Sequence, residues 1–369
     1  MLPSQRHLFT LPDDVTYLNC AYLGPQLRSV TEAGLAAVRE KERPWELTAA
    51  MFFSGSERLR ETFARVLDAD VEGVALVPSV SYGVAVAVKN LPLDGRAALM
   101  LAEDFPSDVY PWTAAGAVVT VERPADHDWT NAILERLDDR IGVVAVPHVH
   151  WTDGGLVDLV RVGARAREVG AALVVDATQS LGALPFDVEA VRPDFLVAAG
   201  YKWLLGPYAL GYLWVAPEHR DGVPLEANWA NREHSDDFAR LIDYREGYQP
   251  GARRYDFGER SNFVLTPMAN AALTQLLDWT VAEIAETTAA LTTYLANGAE
   301  KLGLGVAPAH LRGPHLIGLR FPDGLPDGLS ERLAADRISV SIRGDSVRVS
   351  PHVYNTTDDC DRLLAALDR

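Results

Sequence analysis

The chain has 369 residues, with 34 Lys plus Arg against 51 Asp plus Glu and a formal net charge of -17. That excess of negative charge speaks against nucleic acid or an anionic membrane surface as a partner, since both would repel it. Hydrophobic residues make up 48% and charged residues 23%, enough apolar material for a sizeable core, and the length predicts one large and one smaller domain. Cys20 and Cys360 lie too far apart in sequence to suggest a metal site or a disulfide framework. Such usage fits a reducing compartment. Residues Met1 to His7 lack the apolar centre of a signal peptide, and no stretch approaches the roughly 18 apolar residues of a membrane span. A soluble, cytoplasmic protein is expected.

Residues 1–22 are polar and Pro-containing and read as an ordered arm that packs on the small domain or the active site. Apolar residues then recur at helical spacing from Ser29 to Lys41 and from Ser54 to Leu67. From there strands and helices alternate. Strands are expected at Val74–Val77, Ala97–Leu101, Ala117–Val121, Gly142–Val146, Ala172–Val175, Phe195–Ala198 and Gly211–Val215, with helices through Val84–Lys89, Trp112–Ala115 and Val157–Val169. Continuous Val, Ala and Leu runs imply strands covered on both faces, and alternation with helices implies a largely parallel sheet. Residues 218–262 break the rhythm and read as a functional lid or subunit contact. A long helical region from Thr266 to about Leu302 joins the large domain (residues 23–265) to a smaller one (residues 266–369) of strand, helix, strand, strand, helix.

Ligands of such sheets bind outside the carboxyl ends of the strands, and the chemically suggestive residues fall there. Asp176 ends the strand Ala172 to Val175, and Lys202 follows the strand Phe195 to Ala198 through a small-residue turn. A lysine in apolar surroundings has its pKa pushed down and becomes a usable nucleophile toward carbonyls. An aspartate at a neighbouring strand end can hold a protonated pyridine nitrogen. Together they match what pyridoxal phosphate requires of a protein. Between a strand and a helix, Pro78-Ser79-Val80-Ser81-Tyr82-Gly83 offers main-chain N–H groups and a Ser81 hydroxyl suited to a phosphate. His148-Val149-His150 has no third ligand at a supporting spacing, so no metal is expected.

Val174-Val175-Asp176-Ala177-Thr178-Gln179-Ser180, followed by Ala199-Gly200-Tyr201-Lys202, resembles the class V aminotransferase family of pyridoxal phosphate enzymes. The family includes cysteine desulfurases, isopenicillin N epimerase-like proteins and kynureninases, and the likeness runs from the Asn19 segment to Val347-Arg348-Val349-Ser350. The resemblance implies fold type I: a mostly parallel α/β large domain with a smaller α+β C-terminal domain. It further implies that Lys202 forms the Schiff base and shuttles the substrate α proton, and that Asp176 pairs with the ring nitrogen. Gln179 would reach the cofactor's phenolic oxygen, Phe105 would lie on its ring, and Val80, Ser81 and Tyr201 would hold the phosphate. His150 or Thr152 would contact the cofactor, although the family commonly has asparagine near this position and Trp151 stands between them. Arg348 would grip the substrate carboxylate, with Arg343 and Asn19 as further substrate contacts. Ser261 and Asn262, with Arg254 and Arg260 nearby, resemble the segment that reaches a partner subunit's phosphate, implying a homodimer with shared active sites.

Around the lysine the family often has Ser-x-His-Lys, where this chain has Ala199-Gly200-Tyr201-Lys202. Desulfurases carry a mobile cysteine before the final strands, whereas Val340-Ser341-Ile342-Arg343-Gly344-Asp345-Ser346 is short and has none. Persulfide chemistry is therefore disfavoured. The expected activity is formation of an external aldimine with an amino acid and removal of its α proton. This leads to β-elimination (C–S lyase) or transamination, with isopenicillin N epimerase-like epimerisation as the alternative. A non-catalytic regulator is disfavoured by the presence of Lys202, Asp176 and Arg348.

Overall fold

Strands that are apolar on both faces are stable only in the middle of a layered structure. The computed structural model, which describes residues 1–368, puts those runs in one seven-stranded sheet. In chain order β1 (Thr16–Tyr17) lies in the N-terminal arm, and the large unit begins with α1 (Arg28–Glu40), α2 (Met51–Leu67), β2 (Val74–Val77), α3 (Val80–Asn90), β3 (Ala97–Leu101), α4 (Pro106–Ala115) and β4 (Val118–Val121). It continues with α5 (Trp129–Arg136), β5 (Ile141–Pro147), α6 (Leu159–Glu168), β6 (Ala172–Asp176), α7 (Val188–Val191), β7 (Phe195–Ala199), β8 (Gly211–Val215) and α8 (Leu265–Trp279). The strand order is β2-β8-β7-β6-β5-β3-β4. Only β8 runs against the rest, being antiparallel to both β7 and β2. Successive residues along the strands feed opposite faces, as the period of two demands. Leu76, Leu99, Val144 and Val175 enter one apolar cluster, and Ala75, Ala98, Val143 and Val174 enter the other.

The C-terminal part contains α9 (Val281–Lys301), β9 (Ile317–Arg320), α10 (Leu329–Ala335), β10 (Ile338–Ser339), β11 (Ser341–Arg343), β12 (Ser346–Val349) and α11 (Thr357–Leu367). Its three-stranded antiparallel sheet, ordered β11-β12-β9, has a separate apolar cluster that includes Leu295, Leu319, Val347 and Leu363. The N-terminal arm belongs to this unit more than to the first. β1 pairs in parallel with β10, Leu18 enters the third cluster, and Asn19 bridges Ser350.

Three local departures from the sequence reading have physical causes. The long helix expected from Thr266 onward breaks at Thr280, whose φ of 63° no helix accommodates; its side chain then accepts from Glu283 N and caps α9. The strand expected over Ile338 to Ile342 divides, because β10 pairs with the arm and β11 with β12. Residues 218–262 form turns and short 3-10 segments pinned from within. Asp256 accepts from Leu76 N at 2.7 Å, and its carboxylate is shared by the buried guanidinium groups of Arg60 at 2.6 Å and Arg260 at 3.0 Å.

Candidate active site

Because β2, β3, β5, β6 and β7 run the same way, Val77, Leu101, Pro147, Asp176 and Ala199 end at one edge of the sheet. A cavity of about 260 Å³ opens there, lined by Ser79, Val80, Ser81, Phe105, Trp151, Asp176, Gln179, Tyr201, Lys202 and Tyr208 among others. Lys202 sits in the turn that leaves β7. The turn is tight: a Cβ on Gly200 would come within 2.6 Å of Leu210 O, and one on Gly24, in the arm, within 2.2 Å of Lys202 O. Glycine at both positions lets the main chains close on the lysine.

Lys202 is only 8% exposed and its Nζ lies 5.5 Å from the centre of the Phe105 ring. Burial pulls its pKa down to about 8, against the opposing pull of Asp176, with Arg348 adding to the fall. Asp176 lines the cavity and accepts from Thr178 N at 2.8 Å. Two further carboxylates lie near it: Asp104, and Asp108, which is in the first turn of α4 and is buried with no N–H donor on either carboxylate oxygen. Burial first, then the charges of Asp176 and Asp104, hold its pKa well above the ordinary carboxylate value. Asp104 is pushed up to about 7, again chiefly by burial. Asp108 escaped the sequence reading; its signal was the spacing Phe105-Pro106-Ser107-Asp108, one helical turn behind the ring-facing aromatic.

At the other end of the cavity the first turn of α3 presents its free N–H groups. Ser79 caps that helix, accepting from Tyr82 N at 3.2 Å, and its Oγ lies 2.9 Å from Ser81 Oγ. Tyr201 stands beside them, its ring 4.6 Å from that of Tyr208. Two serine hydroxyls, a helix N-terminus and a phenol make a polar cradle for a dianion.

On the substrate side Arg348 is 1% exposed and has no carboxylate partner among the described residues. Nη1 donates to Trp151 O at 2.6 Å, Nη2 donates to Ser341 Oγ at 3.2 Å, and Ser341 in turn donates to Asn19 Oδ1 at 2.8 Å. Burial and the neighbouring Arg343 lower its pKa to about 9, which still leaves it charged at neutral pH. Trp151 is the residue of its tripeptide that faces the cavity. Its indole N–H donates to Glu103 O at 2.7 Å and its ring meets Phe105 edge-on at 5.7 Å.

His150 and Thr152, expected near the cofactor, are not among the residues that line the cavity. His150 stacks on Trp129 at 5.0 Å, and its ring nitrogens are engaged by Thr152 Oγ1 at 2.8 Å and Ala102 O at 3.1 Å. Thr152 also accepts from Arg123 at 2.8 Å. Gln179 lines the cavity, yet its side chain donates to Ala21 O at 3.1 Å and accepts from Trp203 Nε1 at 2.9 Å, so one amide hydrogen is left for a ligand. Ser261 donates to Phe52 O, and Asn262 accepts from Val264 N at 3.1 Å and Leu265 N at 2.9 Å. Neither lines the cavity of its own chain.

A buried amine of lowered pKa, an aspartate at the cavity edge of β6, and a polar cradle at a helix N-terminus fit pyridoxal 5'-phosphate. On a mostly parallel sheet they define a fold type I enzyme of that cofactor. The Aminotransferase class-V profile matches residues 42–363, and the chain belongs to that family. It is 28% identical over 322 residues to the uncharacterized aminotransferase YcbU of Bacillus subtilis, covering 82% of this chain and 80% of the relative. It is 29% identical to a kynureninase of Deinococcus radiodurans, covering 79% of this chain and 72% of that one. The fold matches the solved structure of C-DES with glycine covalently linked to its pyridoxal phosphate cofactor (TM-score 0.87, 18% identity, 99% of each chain covered).

Proposed function

We propose that this enzyme binds an amino acid by its α-carboxylate at Arg348, removes the α proton with Lys202, and eliminates a β substituent or transfers the amino group. One observation carries the reading: a lysine of lowered pKa lines a cavity with Asp176, and Arg348, a buried guanidinium without a carboxylate partner, is bonded to Trp151 in the wall of that cavity and opposes protonation of the lysine. The fork of Arg348 accepts a carboxylate in bidentate geometry, which orients the Cα–H bond toward Lys202. Pyridoxal phosphate, when bound, supplies the electron sink for the pair released at Cα. Asp176 would hold a proton at the ring nitrogen and Phe105 would cover the ring. Ser79, Ser81 and the α3 N–H groups would hold the phosphate.

Sulfur transfer through a persulfide is disfavoured. The β11–β12 turn has two residues between Arg343 and Ser346, neither of them cysteine. Both cysteines are buried, and burial raises the Cys20 thiol far from thiolate formation. Two unpaired cysteines are in keeping with a cytoplasmic enzyme. A homodimer with shared sites is supported by the exposed apolar residues Leu35, Val38, Trp45 and Ile242, and by Ser261 and Asn262 lying off their own cavity. Light scattering of the purified protein tests it, and a monomer would refute it.

The reaction is tested by a product screen with amino acids. Keto acid plus ammonia marks elimination, keto acid plus aminated cofactor marks transamination, and inverted stereochemistry marks epimerisation. The Schiff-base absorbance band must also vanish in Lys202→Ala; a band that persists sinks the reading.

A further inference from the structure

Arg343 and Arg348 are carried on one short hairpin. In the β11–β12 pairing Ser341 lies opposite Arg348 and Arg343 opposite Ser346, so these four side chains leave the same face of the sheet. The turn between the strands is two residues long, with Gly344 in the left-handed region at φ 58°, a tight connection that holds the two arginines in register. That face looks at the wall of the cavity. Arg348 reaches the main chain of Trp151, and the guanidinium carbon of Arg343 lies 5.1 Å from the centre of the Trp151 ring.

In this chain, where 51 acids face 34 bases, arginines readily find carboxylates, as Arg60, Arg123 and Arg253 do. Arg343 has none among the described residues: Nη1 donates only to Ile342 O at 2.7 Å, and Nε is buried without a partner. Arg343 and Arg348 both oppose protonation of Lys202, while Asp176 and Asp108 favour it. Neither guanidinium is paired with those carboxylates, so each can take an added anion. The cofactor phosphate belongs to the opposite end, at Ser79 and Ser81, and the substrate α-carboxylate neutralises Arg348. One guanidinium is left over.

We propose that Arg343 is a specificity-determining residue that binds a second carboxylate at the far end of the substrate side chain, making the substrate an acidic amino acid. This rests on the amino-acid reading above. Trp151 supports the arm by stacking under its guanidinium plane, which limits the freedom lost on binding.

The test titrates the holoenzyme with L-aspartate, L-glutamate and L-2-aminoadipate, and with the neutral asparagine, glutamine and norleucine, following the cofactor absorbance. One of the acids is expected to bind about tenfold or more tightly than its neutral counterpart. Arg343→Gln should abolish most of that preference, Arg343→Lys should keep part of it, and Arg348→Gln should weaken acids and neutrals alike. Equal binding of acids and neutrals by the unaltered enzyme, or an equal loss for both in Arg343→Gln, overturns the proposal while leaving the amino-acid reading intact. If no amino acid of either kind changes the spectrum, both fall.

Discussion

Arg348 Nη1 donates to Trp151 O at 2.6 Å, and that bond joins the C-terminal hairpin to the loop that follows β5. The same guanidinium that is free to take a carboxylate thus also holds the indole that walls the cavity. Replacing Arg348 with lysine keeps a charge and removes the fork. KM for the substrate is expected to rise roughly 10- to 100-fold, the worth of a charge-assisted hydrogen bond, with a smaller fall in kcat. Steady-state kinetics of Arg348→Lys check this; unchanged KM would contradict it.

Asp176 and Asp108 should respond differently to the same change. Asp176→Asn removes the charge that retains a proton at the ring nitrogen, and activity should fall by about a hundredfold or more. Asp108 is already disfavoured as an anion by burial and its acidic neighbours, so Asp108→Asn preserves its neutral shape. Its unfolding free energy should stay within about 1 kcal/mol of the parent or rise, since a buried anionic state is no longer accessible. Urea unfolding of both variants, beside their activities, makes the comparison.

Loading of the apoenzyme reports on the lysine itself. A neutral amine is the nucleophile, so the rate of Schiff-base formation with added pyridoxal phosphate should climb as pH rises through about 8. An inflection above pH 10, the ordinary range for lysine, would show that the buried environment does not act on Lys202 as described. Stopped-flow absorbance from about pH 6.5 to about 11.5 reads it.

Three buried histidines behind the lysine turn make the fold sensitive to acid. Burial lowers His148 and His352 to about 3 and His315 to about 4, and the nearby His315 adds to the fall at the other two. Unfolded, each would take up a proton near pH 6.5. Between those values the unfolded chain binds more protons, so stability is full above about pH 6.5 and declines as pH falls. Each histidine contributes a slope of about 1.4 kcal/mol per pH unit. The thermal midpoint should drop by several degrees between about pH 7 and pH 5, and His352→Phe, among Trp203, Trp279 and Tyr354, should flatten that dependence.

Asp256 is a stability residue. Truncating it to alanine leaves Arg260 buried without its anion, Arg60 with Glu57 alone, and Leu76 N without its acceptor. The expected loss is about 3–5 kcal/mol, measured by denaturant unfolding, far beyond the cost of a surface ion pair.

Lys202 and Asp176 were legible in the sequence because a strand end preceded by an apolar run fixes both location and environment. Arg348 was singled out only by resemblance to the family, since an arginine in a short strand has no distinguishing local signal. Asp108 was hidden, since an acid in the first turn of a helix is ordinarily a helix-dipole partner and nothing local says that its carboxylate is buried. The partners of His150 were hidden for the opposite reason. A histidine after a sheet strand looks available, but the stacking of Trp129 and the acceptor at Ala102 O come from elements distant in sequence. The reversal of β8 and the division of β10 from β11 are likewise decided by partners, which periodicity does not encode.

The arm that pairs with β10 also touches the cofactor turn: Asn19 accepts from Ser341, Ala21 N donates to Ser350 Oγ, Ala21 O accepts from Gln179, and Gly24 N donates to Tyr201 O. Those contacts fall within six residues of chain, from Asn19 to Gly24. The arm is therefore a linkage rod. Any swing of the hairpin that carries the two arginines is transmitted directly to the main chain flanking the lysine, and trimming the start of the protein would disengage substrate capture from the reacting amine.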